Sequence, residues 1–199
     1  MICYLDEDNK RKIINLLCDT FKQGKLAIIP TDTVYGISGD YFSFGARERI
    51  IEIKQRPLDK SFIILVKNKE SLFSFADQDI PKLILDELPT SLTLIVKNKH
   101  YNLYGEKTIA IRLSDDPWLS ELFNRLDIPI ISTSANISGD NIPEILDEII
   151  SIFRDKVDLI VLSREKKKKK PPSTILDISS KPYRIIRQGD YLVPNELLN

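Results

Sequence analysis

This sequence has few cysteines, a single histidine and no net charge, and each of these features argues against a class of function. The chain contains only two cysteines, Cys3 and Cys18, and one histidine, His100. This set is too small and too dispersed for a disulfide framework or for a metal centre held by His and Cys side chains. A Ser-His-Asp hydrolase would have to use His100, which lies in a polar segment predicted to be a solvated loop. Lys and Arg (29) balance Asp and Glu (29), so any anion site must be local.

Long hydrophobic runs are also missing. The chain opens with Met1-Ile2-Cys3-Tyr4-Leu5 and turns acidic at Asp6, whereas a secretory signal has a basic start and a long apolar stretch. No later stretch is long enough to span a membrane. The sequence therefore predicts a cytoplasmic protein that does not associate with membranes. Its length of 199 residues and its hydrophobic content of 42% favour a single domain over residues 1–199.

Segments with helical spacing of apolar residues alternate with short continuous apolar runs. Predicted helices cover 6–23, 44–55, 70–77 and 80–88, with another capped by Asp116 and Pro117 and a last one beginning at Pro143. Predicted strands cover 26–29, 61–66, 92–96, 108–112, 128–132, 157–162, 173–178 and 183–187. This alternation predicts an α/β protein with a largely central sheet, whose last two strands can pair antiparallel.

A polar segment, Pro30–Gly36, follows the first predicted strand. In extended geometry Thr31, Thr33 and Tyr35 share one face, at the end of the strand. Ligands of open α/β sheets bind outside the carboxyl ends of strands, which favours a substrate site here. The same residue types also form ordinary turns, so the segment alone leaves both interpretations open.

Three cations cluster near the end of the second predicted helix. Lys54, Arg56 and Lys60 lie just before a buried strand, where they can point into one cleft. A mobile ammonium together with a planar guanidinium suits a polyphosphate. The alternative is that these cations complement the helix dipole and extend into water.

Ser132–Gly139 forms a second polar segment after an apolar strand. Its hydroxyls, its amide and its glycine turn are suited to phosphate or ribose oxygens, through side chains and backbone amides. The alternative is a loop that caps the next helix. Further on, the run from Lys166 to Lys170 is typical of a solvated surface loop, although such a run can also contact phosphate or RNA.

Six segments, in this order, resemble the threonylcarbamoyl-adenylate synthases, also called the Sua5/YrdC/YciO family. They are Pro30–Gly36, Lys54–Pro57, Ile109–Arg112, Ser132–Gly139, Pro172–Asp177 and Ile185–Gly189, within a resemblance that covers about residues 25–189. The resemblance implies a single-domain YrdC-like fold, a twisted open mixed α/β sheet with flanking helices and a positively lined concave face. A P-loop, Gly-x-x-x-x-Gly-Lys-Ser/Thr, is absent, which leaves this other route to ATP open.

The resemblance also implies a reaction. L-threonine, bicarbonate and ATP give threonylcarbamoyl-adenylate and pyrophosphate, the first step of threonylcarbamoyladenosine formation at position 37 of tRNA. Mg²⁺ would be carried by the ATP phosphates rather than by a protein site, and separate proteins would transfer the product to tRNA. By the resemblance, the threonine-site residues are Thr33, Lys97, Ser134 and Ser173, the ATP and pyrophosphate contacts are Arg56, Lys60, Thr93, Asn136 and Arg187, and the catalytic residues are Lys54 and Arg56.

The sequence departs from the family pattern where relatives commonly have Trp-Pro-Gly-Pro-x-Thr. Here the segment Leu88–Thr93 keeps the proline and the last threonine but lacks the glycine, which affects the adenine side. Asp116 replaces a common histidine, and the lysine run replaces a loop that is often rich in glycine. Two other functions remain open at this point: a non-catalytic protein that binds double-stranded RNA or tRNA on the same fold, and a phosphotransferase acting on another metabolite.

Overall fold

The computed structural model of the chain describes residues 1–55, 62–143, 145–164 and 171–198. Its strands are β1 (Ile2–Leu5), β2 (Ala27–Ile29), β3 (Gly36–Asp40), β4 (Ile63–Val66), β5 (Leu92–Lys97), β6 (Thr108–Leu113), β7 (Ile130–Ser134), β8 (Leu159–Ser163), β9 (Thr174–Asp177) and β10 (Arg184–Arg187). Its helices are α1 (Lys10–Lys22), α2 (Phe44–Lys54), α3 (Lys69–Phe75), α4 (Lys82–Glu87), α5 (Tyr101–Tyr104), α6 (Pro117–Arg125) and α7 (Leu146–Phe153), and a 3₁₀ turn covers Asn195–Leu197.

The described strands form one mixed sheet in the order β1-β8-β2-β3-β7-β4-β6-β5-β9-β10. Strands β1 and β2 pair with β8 in parallel, as do β4 with β6 and β5 with β9. The pairs β2/β3, β3/β7, β4/β7, β5/β6 and β9/β10 are antiparallel. The predicted α/β class with an open mixed sheet is therefore confirmed, and so is the antiparallel pairing of the last two strands.

The two faces of the sheet are covered unequally. Helices α2, α3, α4 and α7 pack on one face, where their apolar residues join those of the strands in the larger core. On the other face α1 and α6 cover the side around β1, β8 and β2 with a smaller core. Strand β7 shows the division, since Ile131 belongs to the first core and Ile130 to the second. No described helix covers the rest of the second face.

Local sequence signals located several helix ends well. Gly24 follows α1 with a φ of 67°, and the Asp116 side chain accepts a hydrogen bond from the Trp118 amide at the start of α6. The helix predicted from Pro143 begins instead at Leu146, and the strand predicted at 128–132 is Ile130–Ser134. Strand β1 was not predicted, although Ile2–Leu5 is a short apolar run. Strand β3 was not predicted because Gly36–Asp40 has no continuous apolar run. A short helix, Tyr101–Tyr104, begins inside the loop predicted at 97–102.

Within the parts of the chain that the structure describes, no helix is both long enough and apolar enough to cross a membrane.

Candidate active site

A cavity of about 530 Å³ occupies the uncovered part of the second sheet face. Strands β4, β5 and β6 form its floor through Ile63, Leu65, Ile95, Ala110 and Arg112. Polar side chains reach it from four places at strand ends: after β2, at the end of β7, before β9 and at the end of β10. They belong to Thr31, Asp32, Thr33, Ser132, Ser134, Ser173 and Arg187. Four of the predicted site residues therefore meet in one place: Thr33, Ser134, Ser173 and Arg187.

The segment Pro30–Gly36 is bent rather than extended. The Thr31 hydroxyl donates to the Val34 carbonyl at 2.6 Å, which closes a turn. As a result Thr31 and Thr33 face the cavity, whereas the Tyr35 hydroxyl points away and accepts a hydrogen bond from the Ser163 amide at 3.0 Å. The prediction that Thr31, Thr33 and Tyr35 share one face is wrong, because this turn breaks the alternation of an extended chain.

The start of the same segment is held by α6. The Trp118 indole nitrogen donates to the Pro30 carbonyl at 2.9 Å, and the Asp116 cap fixes the first turn of the helix that carries Trp118. Asp116 therefore has a local structural role in this chain, where it replaces the histidine common in relatives.

A buried ion pair joins the segment to the floor of the cavity. The guanidinium of Arg112 donates to the Asp32 carboxylate, and the two side chains are only 4% and 5% exposed. Neither residue was assigned a role from the sequence, although a charged residue inside the apolar run Ile109–Leu113 is a signal that could have singled out Arg112. Both residues line the cavity.

Lys54 does not extend into water as a helix-end cation usually does. It is 2% exposed, and its ammonium donates to the carbonyls of Ser134 and Asn136 at 2.6 and 2.7 Å and to the Asn136 Oδ1 at 3.0 Å. The Ser138 amide also donates to the Lys54 carbonyl at 2.9 Å. Lys54 thus holds the loop after β7 from inside the protein.

This arrangement fixes the polarity of Ser134. An ammonium only donates, so the Asn136 side chain must turn its oxygen toward Lys54. The Ser134 hydroxyl donates to that same oxygen at 2.6 Å, which uses its single hydrogen. Ser134 therefore presents lone pairs to the cavity and acts as an acceptor. Asn136, 9% exposed, lies behind it and does not line the cavity.

The backbone of this loop offers few amides to a phosphate. The amides of Ala135, Asn136 and Ser138 donate to the carbonyls of Tyr35, Ser134 and Lys54. The helix after the loop begins only at Leu146, so the loop does not cap it either. The hydroxyls of the segment, rather than those amides, are what it contributes to the site.

On the opposite side of the cavity, Ser173 lies between Thr93 and Arg187. The Arg187 guanidinium donates through Nε and Nη2 to the Ser173 carbonyl at 3.0 and 2.9 Å, and through Nη2 to its hydroxyl at 3.3 Å. A register shift in β10 between Ile185 and Arg187 sets Arg187 opposite Ile175 of β9. Irregularities of this kind redirect side chains at the rims of sites.

Two guanidinium groups make the cavity electropositive. Burial, and then the positive charge of Arg112, lower the pKa of Arg187 from its usual value, but its guanidinium stays charged. Asp32 is the only carboxylate among the described residues that line the cavity, and it is paired with Arg112. The cavity is therefore suited to anionic ligands.

The remaining predicted site residues lie elsewhere. Thr93 has no exposed surface, and its hydroxyl is 2.8 Å from that of Ser173. Lys97 is exposed at the far end of β5 and does not line the cavity. Arg56, Lys60 and the run from Lys166 to Lys170 fall outside the described residues, so their predicted roles stay predictions.

Comparison with known proteins identifies a family. Residues 19–189 match the Sua5_yciO_yrdC family, whose description is "Telomere recombination". A Methanocaldococcus jannaschii protein, provisionally named a threonylcarbamoyl-AMP synthase, is 35% identical over 93% of this chain and 89% of its own length. The threonylcarbamoyl-AMP synthase of Pseudoalteromonas translucida is 32% identical over 70% of this chain and 79% of its own length.

Among solved structures, the chain is similar to P. abyssi Sua5 complexed with L-threonine. The TM-score is 0.84 and the identity is 28% over 95% of this chain. The match spans 57% of the Sua5 chain, so this protein corresponds to little more than half the length of that relative.

Proposed function

This chain belongs to the Sua5/YciO/YrdC family, and on that premise we propose that it is an L-threonylcarbamoyladenylate synthase. The enzyme would join L-threonine, bicarbonate and ATP into threonylcarbamoyl-adenylate, with release of pyrophosphate. The product would serve as the first intermediate of threonylcarbamoyladenosine formation in tRNA. The names of two relatives and the threonine complex of Sua5 support this function over that of a non-catalytic RNA-binding protein.

The observation that carries the proposal is the pairing of two guanidinium groups with hydroxyls of fixed polarity in one cavity. Threonine has a carboxylate, an ammonium and a hydroxyl, and it needs donors and acceptors close together. Ser134 supplies an acceptor, which suits the ammonium or the hydroxyl of threonine. Arg112 and Arg187 suit the carboxylate of threonine and the phosphates of ATP.

The chemistry proceeds in two steps. The neutral amine of threonine attacks the carbon of bicarbonate with loss of water, or that of carbon dioxide with loss of a proton, to form a carbamate. A carbamate oxygen then attacks the α-phosphorus of ATP and expels pyrophosphate. Such a reaction depends mainly on positioning and on neutralising charge. We propose that Arg56 and Lys60 neutralise the pyrophosphate. Lys54 contributes by holding Ser134 and Asn136 in place.

The metal ion of this reaction would enter with the nucleotide. The described residues hold no group of three or more His, Cys, Asp or Glu side chains suited to a metal ion, and the Asp32 carboxylate is engaged by Arg112. Mg²⁺ is commonly held through substrate phosphates and water, and there it would supply positive charge next to the phosphates. We further propose a cytoplasmic enzyme whose product passes to separate tRNA threonylcarbamoyl-transfer proteins.

The deciding assay measures pyrophosphate release from ATP and Mg²⁺. We expect release that requires both L-threonine and bicarbonate, and a product containing carbon from labelled bicarbonate. Release that does not depend on threonine would contradict the proposal and would favour a phosphotransferase with another substrate.

The same preparation tests the RNA-binding alternative. Salt-dependent binding of tRNA or double-stranded RNA, without any pyrophosphate release, would favour a non-catalytic protein. Loss of that binding on changing Lys166 to Lys170 to alanine would assign it to the lysine run.

A further inference from the structure

Thr93 is a buried hydroxyl directly behind the cavity wall. It lies on β5 opposite Arg112 of β6 and Ile175 of β9, on the face that the cavity occupies. Its side chain has no exposed surface, so it does not reach a ligand in the cavity. Its hydroxyl contacts the hydroxyl of Ser173 at 2.8 Å, and Ser173 does line the cavity.

The hydrogen bonds that Ser173 already makes determine whether its hydroxyl can donate to a ligand or accept from it. A serine hydroxyl has one hydrogen to donate and two lone pairs to accept with. Arg187 donates to the Ser173 hydroxyl at 3.3 Å and occupies one lone pair. If Thr93 donates as well, the second lone pair is filled, and the hydrogen of Ser173 is directed to the cavity.

The opposite direction of the Thr93–Ser173 hydrogen bond would leave Ser173 without a hydrogen for a ligand. If Ser173 donated to Thr93, its only hydrogen would be used on a residue with no exposed surface. The cavity would then receive a lone pair from Ser173, next to two guanidinium groups that attract anions. Anionic oxygens require donors, so a donating Ser173 matches this part of the cavity.

We propose that Thr93 is a positioning residue of the amino-acid subsite: it donates to Ser173 and thereby makes Ser173 a donor to the carboxylate of L-threonine. The inference rests on the proposed function, and it moves Thr93 from the nucleotide contacts implied by the family resemblance to the threonine side. Ser134, whose hydrogen is used on Asn136, faces the same cavity as an acceptor. The two serines thus match the two charged ends of one amino acid.

Calorimetric titration of L-threonine and, separately, of ATP into three proteins tests this role. Thr93→Val keeps the shape of the side chain and removes the hydroxyl, whereas Thr93→Ser keeps the hydroxyl. We expect the threonine Kd of Thr93→Val to rise about 5- to 10-fold, as for the loss of one hydrogen bond. Thr93→Ser should stay within about twofold of the wild type, and the ATP Kd should not change in either variant. If Thr93→Val does not fold, Thr93→Cys, a weaker donor of similar size, takes its place.

A second comparison, made in the Ser173→Ala variant, distinguishes an effect of Thr93 on Ser173 from a general loss of structure. If Thr93 acts through Ser173, adding Thr93→Val to Ser173→Ala should leave the threonine Kd unchanged. Thr20→Val is the matched control, because Thr20 is also a buried threonine with a hydrogen-bonded hydroxyl but lies on α1, where it donates to the Leu16 carbonyl at 2.7 Å. It should bind threonine normally.

Several outcomes would overturn the inference. The inference is wrong if Thr93→Val binds threonine with the wild-type Kd, or if only its ATP Kd rises. It is also wrong if Thr93→Val raises the threonine Kd by the same factor in the Ser173→Ala background as in the wild type. Each of these results would leave the proposed function intact. A wild-type protein that binds no threonine would overturn both the inference and the proposed function.

Discussion

The two polar segments that flank the cavity are each held by one cation, but in opposite ways. The first, Ser134–Asn136, is held from inside by Lys54, which is almost fully buried. The second, Pro172–Thr174, is held from the surface side by Arg187, which is partly exposed and donates from two nitrogens to the Ser173 carbonyl. The first segment presents an acceptor to the cavity, and the second is proposed to present a donor.

The difference has energetic consequences. A buried ammonium is costly unless its N–H groups all find hydrogen-bond acceptors, so we expect the hydrogen bonds of Lys54 to break together rather than one at a time. The second segment depends on several weaker contacts near the surface, including those from Gln188 and Gly189 to the Thr174 hydroxyl at 3.4 and 2.9 Å. We therefore expect the first segment to determine stability and the second to determine ligand affinity.

The largest effect should come from Lys54→Ala. The change leaves three oxygens of Ser134 and Asn136 without the donor they have in the wild type, and we expect a loss of about 3 kcal/mol or more in the free energy of unfolding. Chemical denaturation measures it. Lys22→Ala is the matched control, because Lys22 also lies in the last turn of a helix but is exposed; it should change stability by less than about 0.5 kcal/mol.

The result also separates two roles for Lys54. If the Lys54→Ala protein has normal stability but releases no pyrophosphate, Lys54 does not mainly hold Ser134 and Asn136 in place. Direct contact between Lys54 and the leaving pyrophosphate would then be favoured.

An intermediate effect is expected from Gly189→Ala. A Cβ at this position would come within 2.6 Å of the Ser173 carbonyl carbon and the Thr174 nitrogen, and closer still to the Pro172 carbonyl oxygen. Backbone atoms cannot move aside as a flexible side chain can, so the segment must shift. We expect a loss of about 1 to 3 kcal/mol in stability and at least a tenfold rise in the threonine KM.

Gly45→Ala is the control for that change. A Cβ at Gly45 meets no atom within 4 Å, and the position lies in the first turn of α2. Alanine is favoured over glycine in a helix, so the variant should be as stable as the wild type or slightly more stable. Equal behaviour of the two alanine variants would show that the close approach at Gly189 does not matter.

The smallest effect should come from Arg187→Lys. Lysine keeps the charge but lacks the planar fork that bonds the Ser173 carbonyl and hydroxyl together. We expect stability to be unchanged and the threonine Kd to rise about threefold, equivalent to less than 1 kcal/mol. Arg184→Lys, an exposed change in the same strand, should bind normally. If Arg187→Lys lost as much stability as Lys54→Ala, the two polar segments would not differ in their contribution to stability.

Local rules recovered much of the secondary structure. The start of α6 follows from Asp116 and Pro117, whose side chain and ring suit the first turn of a helix. The end of α1 follows from Gly24. By contrast, β3 was missed because Gly36–Asp40 has no apolar run of its own and is a strand only between β2 and β7.

The site was predictable as a set of segments and not as an arrangement of atoms. Thr33, Ser134, Ser173 and Arg187 meet in the cavity as the resemblance implied. Arg112 was not assigned a role, although its charge in an apolar strand was visible. Lys97 was placed at the site by analogy, and the direction of β5 takes it away.

The sequence by itself determined which segments are polar, where they follow strands and which family they belong to, because these properties depend on residue type and local order. Tertiary structure alone decided that Lys54 turns inward and that Thr93 lies behind Ser173. In each case the partners are 80 residues apart in the chain. The polarity of a hydroxyl depends on which partners surround it, and only the packing of distant strands brings those partners together.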